Sequence, residues 1–505
     1  MPVVSAGSIN LTALQVPNIE VQIVPPGTLL LNGVPSNILG LVGTASWGPV
    51  NSPVIGGGFP DYTAVFGLPK ARKFDLGTQV QLAALQGASN FRFVRVTDGT
   101  DTAATAVVGA TDITYSSKYT GTGGNTTTVT QSVGSKAGTV RVVVAKPGLV
   151  PEVFDNIGFG LTGAALWAAI ASAVNNGVSG QRGPSQIITA AVPASTPGTD
   201  AFTPSTLTLA GGTDGAGVTA TALVGLDTTP RTGMYALRST GASIIVLCDV
   251  DDPATWGVQA AYGLSEGAYA VVCGPFGDTI SNAVSAKAGV GLDTYAVKPL
   301  FGDYIYFVDT ANGGALRLTS PCGVVAGKMA NQSPEQSPLN KPLVGIVGTQ
   351  ASFAQKVYSD AELAVLAGAG IDIVTNPNPG GRYFGVRLGV NASSDARVNG
   401  DNYTRLTNYI AQTLNNGMGI YIGELGTPES LAQSKATLDA FMKAMQGVGQ
   451  VQDFKVTCDA SNNPPDRLAL GYRTANVMVR YFSITKFFIV NLEAGQTVTV
   501  VQAAN

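Results

Sequence analysis

Residues 242–250 read "ASIIVLCDV" and residues 268–278 read "AYAVVCGPFGD". Each is a short apolar run of strand length, and the segment between them, near 254–266, has a helical pattern. A strand, a helix and a second strand in this order predict a βαβ-like unit, which favours a layered sheet covered by helices. The stretch therefore predicts an α/β fold.

Length and composition predict several domains and a surface with little charge. At 505 residues the chain is too long for one ordinary core, so about two to four domains are expected. Hydrophobic residues make up 45% and charged residues only 12%, roughly half the usual share. A weakly charged surface promotes self-association. The composition thus favours a chain that covers its surface with copies of itself over a large, weakly charged globular protein.

The absence of histidine excludes several classes of active site. No Ser-His-Asp or Cys-His couple can form, and most zinc and non-haem iron sites lose their usual ligand. The four cysteines form no C-x-x-C pair, so neither a disulfide framework nor a zinc site is expected. The net charge of −3 predicts no basic face for nucleic acid. Chemistry based on carboxylates or lysine remains open.

Three motifs invite a functional interpretation, and each has a simpler one. The acidic run "DVDDP" at 249–253 offers ligands for Mg²⁺ or Ca²⁺, but it lacks the spacing of a calcium loop and fits a strand-to-helix turn. The segment "GVVAGKM" at 323–329 is one residue short of a phosphate loop and has Met329 in place of Ser or Thr. In "GIDIVTNPNPGGRYFGVRLGVN" at 370–391 the glycines precede strand-forming residues, so this segment is predicted to be a turn.

No segment predicts a membrane span or a leader. The strongest apolar run falls well short of the roughly 18 residues that a span requires. The start "MPVVSAGSINLTAL" lacks the charged and apolar regions of a signal peptide, so synthesis in the cytoplasm is expected.

Shifts in composition predict the domain boundaries. A Thr-, Ser- and Gly-rich stretch with alternating strands interrupts an αβ pattern that resumes after it. The last part contains a helix that begins with Thr427 as N-cap and Pro428, with a core stripe of Leu431, Leu438, Phe441, Met442 and Met445. The predicted segments are an N-terminal arm at 1–28, a first core part at 29–97, an inserted β-rich domain at 98–215, a middle αβ domain at 216–375, a C-terminal core part at 376–495 and a C-terminal strand arm at 496–505.

Both ends of the chain carry strand-forming segments next to proline or glycine residues. These are "IEVQIVPPG" at 19–27 and "QTVTVVQ" at 496–502. A strand with unpaired backbone groups needs a sheet edge. It either folds back onto its own domain or adds to the sheet of a neighbour.

The order of several segments resembles the contractile-tail sheath proteins of myovirus-type tails, and more distantly the sheaths of R-type pyocins and type VI secretion. The early segments are "GLVGTASWGPVNSPV", "FGLP" and "NFRFVRV". The middle ones are "LTLAGGTDG", "YALRSTGASIIVL" and "SPCGVVAGKMANQ". The late ones are the 370–391 segment, "YTRLTNYIAQTL" and "FKVTCDASNNPPDRLALGYRTANVMV". No single piece is diagnostic, and the resemblance rests on their order and spacing.

The resemblance implies an architecture and a set of strand-exchange residues. It implies an α/β multidomain protein whose α+β core is built from both ends of the chain, with an inserted β-rich outer domain and extended terminal strand arms. In the family these arms join the sheets of neighbouring subunits. Carried over to this sequence, the exchange involves two terminal strands and the strand that receives them: Ile19, Val21, Ile23 and Val24; Thr497, Val498, Val500 and Val501; and Val477, Val479 and Tyr481.

The resemblance also implies a mechanical function and no enzymatic one. Sheath subunits of this family form stacked six-membered rings around an inner tube and contract to drive the tube through the host envelope during genome delivery. The implied partners are other copies of the chain, the inner tube protein, and baseplate and terminator proteins. The implied location is the virion tail, assembled in the bacterial cytoplasm. No catalytic residue, cofactor, metal, nucleic acid or membrane insertion is implied.

Several alternatives stay open at this stage. A passive shell, such as a capsid or surface-layer protein, would have no second state. An αβ enzyme would use the "DVDDP" turn. A secretion-type sheath is usually split over two chains, and a headless bacteriocin has the same kind of sheath as a phage. Arg382, Arg387, Arg397 and Arg405 are candidates for charge pairs between copies, or are ordinary solvated arginines.

Overall fold

The structure is a computed structural model that describes residues 5–6, 22–23, 31–109, 112–193 and 200–490. The chain divides into two compact units, Pro35–Tyr409 and the combination of Met1–Val34 with Ile410–Asn505. Helices and strands are numbered here in chain order. The first described elements are two short strands that pair in parallel, β1 (Ser5–Ala6) and β2 (Gln22–Ile23).

The first αβ segment of the larger unit starts a buried sheet. Its strands are β3 (Leu39–Gly43), β4 (Val54–Gly56) and β5 (Phe91–Arg95), and its helices are α1 (Phe59–Phe66) and α2 (Leu76–Leu85). Asp75 begins α2, because its carboxylate accepts the backbone N–H of Thr78 at 2.9 Å. Every residue of β3 is buried, as expected for a strand covered on both faces.

Two antiparallel sheets and one helix follow, with a core of their own. Val142, Phe154, Trp167 and Ile170 are among its fully buried residues. The sheet orders are β10-β9-β8-β12 and β11-β7-β6. The elements are β6 (Thr105–Val108), β7 (Ile113–Ser117), β8 (Thr128–Val133), β9 (Val140–Ala145), β10 (Glu152–Ile157), α3 (Gly163–Asn176), β11 (Ile188–Ala191) and β12 (Ser205–Thr208).

The αβ pattern then resumes and completes the central sheet. The βαβ unit predicted from residues 242–278 is present as β13, α5 and β14. This segment contains α4 (Ala220–Val224), β13 (Ile244–Leu247), α5 (Trp256–Glu266), β14 (Tyr269–Cys273), α6 (Ile280–Gly289), β15 (Val297–Leu300), β16 (Ile305–Asp309), β17 (Ala315–Thr319), α7 (Cys322–Ala330), β18 (Gly348–Thr349), α8 (Gln350–Phe353), α9 (Asp360–Gly368), β19 (Val374–Thr375) and β20 (Gly385–Val386).

The central sheet has six strands in the order β15-β14-β13-β3-β5-β4. All neighbours are parallel except the edge strand β4, which runs antiparallel to β5. Residues 29–97 and residues 216–375 therefore contribute strands to one sheet, although they are separate segments in the sequence. The fold is mixed α/β with several sheets.

Apolar cores lie on both faces of this sheet. Leu39 and Leu41 of β3 pack with α2, α7 and the small sheet β17-β16-β18. Val42 points to the opposite face, where it shares a core with Trp256 of α5. The result is a three-layer arrangement in which α5 covers one face and α2 with α7 covers the other.

A buried cluster of charges lies beside β15. The Lys298 ammonium is 2.6 Å from Asp372 Oδ2 and 2.9 Å from both carboxylate oxygens of Asp401, and all three side chains are fully buried. Asp401 is the first residue of α10 (Asp401–Gly417), and it also accepts the Tyr269 hydroxyl at 2.6 Å. Burial raises the pKa of Asp401. Burial lowers the pKa of Lys298, but the two carboxylates outweigh it and raise that pKa above its ordinary value.

The C-terminal part of the smaller unit is a helix packed on a two-stranded sheet. It contains α11 (Pro428–Gly447), β21 (Val451–Thr457), α12 (Pro465–Ala469) and β22 (Asn476–Tyr481). The predicted helix start is confirmed, since the Thr427 hydroxyl accepts the Ser430 N–H at 3.2 Å. The predicted stripe is confirmed too, because Leu431, Leu438, Phe441, Met442 and Met445 are all buried.

Candidate strand-exchange site

The strand β22 carries three of the residues that the sequence analysis assigned to strand exchange. It pairs antiparallel with β21, and Val477, Val479 and Tyr481 lie opposite Val456, Phe454 and Val451. These three residues are half-buried, whereas the alternating Met478 and Arg480 are exposed. One side of the ribbon therefore packs inward, and Met478, at 67% exposure, displays an apolar side chain on the other.

A polar network positions β22 against α11. The Arg473 guanidinium, just before β22, donates to Ser430 Oγ at 2.7 Å and Ser434 Oγ at 3.0 Å on α11. The buried Asn463 side chain accepts the Thr474 N–H at 2.6 Å and donates to the Thr474 carbonyl at 2.8 Å. The sequence analysis quoted both residues only within a longer segment and gave neither a role, because their partners lie outside any local pattern: Thr474 is 11 positions from Asn463, and Ser430 and Ser434 are 43 and 39 positions from Arg473.

Two titratable groups at the end of β21 have shifted pKa values. The Ser461 side chain and backbone N–H hold the pKa of Asp459 below its usual range. Burial raises the pKa of the Cys458 thiol at the end of β21. Among the residues that the structure describes, neither group has a titratable partner at hydrogen-bond distance, and the contacts of the ribbon are those of packing.

The chain beyond β22 is apolar and exposed as far as the structure describes it. Phe487, Phe488, Ile489 and Val490 are 85%, 88%, 82% and 70% exposed. Four consecutive large apolar residues at this exposure are typical of a segment that takes part in an interaction.

The other predicted exchange residues have a different status. Ile23 is in β2, which pairs with Ser5 and Ala6 of the same chain. The remaining ones lie outside the described residues, so their role stays a prediction: Ile19, Val21, Val24, Thr497, Val498, Val500 and Val501.

The alternative motifs have structural explanations. Asp249 of "DVDDP" is buried and accepts hydrogen bonds from Gln79, Thr319 and Ser320 at 2.8–3.0 Å. The "GVVAGKM" segment lies within α7, where a Cβ on Gly327 would come 2.5 Å from the Ala83 Cα of α2. Its glycines thus permit close helix packing. Within the described ranges, no group of three or more cysteine or acidic residues is placed to hold a metal ion.

The 370–391 segment forms a turn, as predicted. Strands β19 and β20 pair antiparallel, and the backbones of Asn378 and Gly381 exchange hydrogen bonds at 2.9 and 3.0 Å between them. Of the four candidate arginines, Arg405 is buried on backbone carbonyls and Arg397 pairs with Asp395 at 2.7 Å. Arg382 and Arg387 make no ion pair with any described residue.

Comparison with known proteins points to sheath proteins. A tail sheath protein of Vibrio phage KVP40 is 27% identical over 212 residues, which is 40% of this chain and 30% of the phage protein. The matched part thus spans less than a third of that relative. No family model matches the chain.

Solved structures match over nearly the whole chain. A sheath tail protein of Desulfitobacterium hafniense is 15% identical with a TM-score of 0.58, covering 87% of this chain and 93% of its own. One of Listeria innocua is 17% identical with a TM-score of 0.55, covering 88% and 94%. The contracted sheath of an extracellular contractile injection system is 11% identical with a TM-score of 0.54, covering 96% and 99%.

These likenesses show that the chain has the fold of sheath tail proteins, so the resemblance predicted from the sequence is confirmed. The matching proteins are structural, in agreement with a chain that is not an enzyme. In the described ranges, no helix combines the length and apolar character needed to cross a bilayer.

Proposed function

We propose that this chain is the structural subunit of a contractile tail sheath. The observation that carries the proposal is the extent of the fold likeness, which covers 87–96% of this chain and 93–99% of the sheath chains. The likeness leaves little of the chain to form a domain with another activity. One sheath with this fold is in a contracted state, which supports a subunit that works by changing its packing.

The finer points of the function are part of the proposal. The subunits form stacked six-membered rings around an inner tube, bounded by a baseplate and a terminator. Contraction drives the tube through the host envelope during genome delivery, and the assembly belongs to a virion tail. Two packings of one subunit that differ by a few kcal/mol suffice for a bistable element. Many copies then add these increments into mechanical work.

Strand exchange is the proposed connection between subunits. An isolated two-stranded sheet is marginal in water, and three or more strands with an apolar face are the usual minimum. In the described part of the smaller unit, the sheet of β21 and β22 has two strands, with Met478 displayed on its open side. Terminal strands of neighbouring copies at 19–24 and 497–501 would extend this sheet by β-augmentation. The backbone connection would hold while the subunits reorient.

Electron microscopy of the purified chain tests the proposal. The full chain is expected to give hollow striated cylinders, and a variant truncated after Gly495 is expected to lose them. A finer pair is Val500→Pro, which removes a ladder N–H, and Val500→Thr, which keeps strand propensity. Cylinders should be lost with Val500→Pro and kept with Val500→Thr. Small discrete particles from the unmodified chain would refute the sheath, and closed shells or flat sheets would indicate a passive shell.

A further inference from the structure

A small cavity lies beside the turn between β19 and β20, in the larger unit of the chain. Its volume is about 230 Å³, which is below the roughly 300–1,000 Å³ of typical sites for drug-sized ligands. The buried side chains of Leu363 on α9 and Val374 on β19 contribute apolar surface to its wall. The cavity therefore suits a small molecule with an apolar part and not a large cofactor.

Arg387, the residue after β20, brings a positive charge to this cavity. Its backbone N–H donates to the Ile373 carbonyl at 2.9 Å, which fixes the start of its side chain. Arg387 is half-buried and lines the cavity, and its side chain makes no ion pair or hydrogen bond with any described residue. Three other half-buried arginines, Arg72, Arg182 and Arg317, each contact a carboxylate at 2.6–3.2 Å. Because a shielded charge is costly without a partner, Arg387 marks a place for an anionic group.

A negative charge without a partner lines the same cavity. Asp360 is the first residue of α9, and its carboxylate makes no ion pair with any residue that the structure describes, Arg387 included. Ser359 and Glu362 form the capping box of this helix, so Asp360 is not needed as its cap. The neighbouring Lys356 is paired with Glu362 at 3.0 Å. Among its described residues, the cavity thus has one unpaired side chain of each sign, and the two do not form an ion pair with each other.

We propose that this cavity binds a small aliphatic α-amino acid in its zwitterionic form. The ligand carboxylate would pair with Arg387, because the guanidinium fork matches a carboxylate in shape and charge. The ammonium would pair with Asp360, and the aliphatic side chain would pack on Leu363 and Val374. A ligand with both charges satisfies both unpaired groups, whereas a phosphate ester, with a charge of about −1.5 to −2, would be repelled by Asp360. This site goes beyond the proposed sheath function and does not depend on it.

Equilibrium dialysis of the purified full chain against three matched probes tests the site. L-valine carries both charges. Isovalerate has the same skeleton without the ammonium, and isobutylamine has the same skeleton without the carboxylate. At constant ionic strength, L-valine is expected to bind at least about tenfold more tightly than either of the others, since each of them loses one charge-assisted contact.

Variants assign the two charges of the ligand to their residues. Arg387→Gln should weaken the binding of L-valine and of isovalerate by about tenfold or more. The matched control is Arg382→Gln, an exposed arginine of the same turn that does not line the cavity, and it should leave both affinities unchanged. Asp360→Asn should lower the affinity for L-valine to that for isovalerate, and isovalerate should bind no worse, because a negative neighbour has been removed. Circular dichroism checks that each variant is folded before binding is measured.

Three results would overturn the proposal. Equal binding of isovalerate and L-valine to the unmodified chain would mean that the cavity takes a carboxylate alone. Unchanged binding of L-valine to Arg387→Gln would place the ligand elsewhere, and no binding of L-valine to the unmodified chain would exclude the site. The comparison of the three probes needs no variant, so it decides even if a variant does not fold. Cylinders are scored separately by microscopy: cylinders without L-valine binding refute this site alone, and L-valine binding without cylinders refutes the sheath proposal alone.

Discussion

Replacement of Lys298 by methionine is expected to loosen the edge of the central sheet at β15. Methionine keeps the apolar stem but removes the ammonium, which is within 2.9 Å of both buried carboxylates. Removing one partner from a buried ion pair costs about 3–5 kcal/mol, because the remaining charge is left in a poorly solvated site. The full range applies here, since the three side chains have no exposed surface.

The two carboxylates are not equally dependent on Lys298. Asp372 also accepts the backbone N–H groups of Ile373, Leu388, Gly389 and Val390 at 2.8–3.3 Å. Within the described residues, Asp401 would retain the Tyr269 hydroxyl at 2.6 Å and a long bond from Ser337 at 3.4 Å. The loss should therefore fall mainly on Asp401. The double variant Lys298→Met with Asp401→Asn should recover part of the stability, because no unpaired charge is left at that position.

The assay is native-state amide hydrogen exchange, read by mass spectrometry on peptides that cover β15 and the start of α10. It reports local opening free energies, which suits a chain with several domains that need not unfold together. Peptides from the inserted sheets serve as an internal reference. The matched control is Lys73→Met, because the Lys73 side chain is 54% exposed and its pair with Asp251 at 2.8 Å is expected to contribute less than about 1 kcal/mol.

The Lys298→Met effect should also depend on pH. Burial raises the pKa of Asp401, and losing the lysine removes the attraction that opposes this rise. A carboxyl whose pKa is higher in the folded chain than in the unfolded chain takes up a proton on folding. The folded state therefore becomes more stable relative to the unfolded state as the pH falls through the folded-state pKa. The cost of the substitution should thus be smaller at mildly acidic pH than at neutral pH. Equal protection in Lys298→Met and Lys73→Met at neutral pH would refute this reasoning.

Three other substitutions or treatments have defined expectations. Gly327→Ala should lower the free energy of unfolding of the larger unit by about 1–3 kcal/mol, because the new Cβ would lie 2.5 Å from the Ala83 Cα. The control Gly289→Ala, in open space at the end of α6, should be neutral or slightly stabilising, and equal melting curves of the two variants would contradict the packing argument. Arg473→Ala should increase amide hydrogen exchange in β22, because it removes two hydrogen bonds to α11 that are worth about 1.5–3 kcal/mol each. The control Arg480→Ala, on the exposed side of the same strand, should have little effect on that exchange. The native thiols should react with a thiol reagent only on unfolding, because all four are buried and burial raises the pKa of Cys248, Cys273 and Cys458. Rapid labelling of the folded chain would contradict their placement in the core.

Local sequence patterns predicted individual helices and strands well, but they could not predict contacts between residues that are far apart in the chain. The βαβ unit at 242–278 and the α11 stripe follow from apolar periodicity and cap residues within each segment. The order of the central sheet does not, because β3 lies beside β13 although some two hundred residues separate them. The Lys298 cluster was missed for the same reason, since its carboxylates are 74 and 103 positions away in the chain. In the strand-exchange site, the alternating sequence pattern predicted β22, whereas the roles of Arg473 and Asn463 became visible only from their contacts in the structure.

The structure shows where the few charged residues lie and which part of the surface has none. Buried clusters such as that of Lys298 use some of the few charges inside the fold, and the exposed residues of α5 have none: Gly257, Val258, Ala261, Leu264 and Ser265. An apolar surface that a monomer leaves exposed promotes association, and its position decides the form of the assembly. In the proposed strand exchange, each terminal strand stays covalently part of its own chain and binds the sheet of a neighbour through backbone hydrogen bonds. Such a link would let neighbouring subunits reorient without separating, because the segment that joins the strand to its own domain can turn while the strand stays paired.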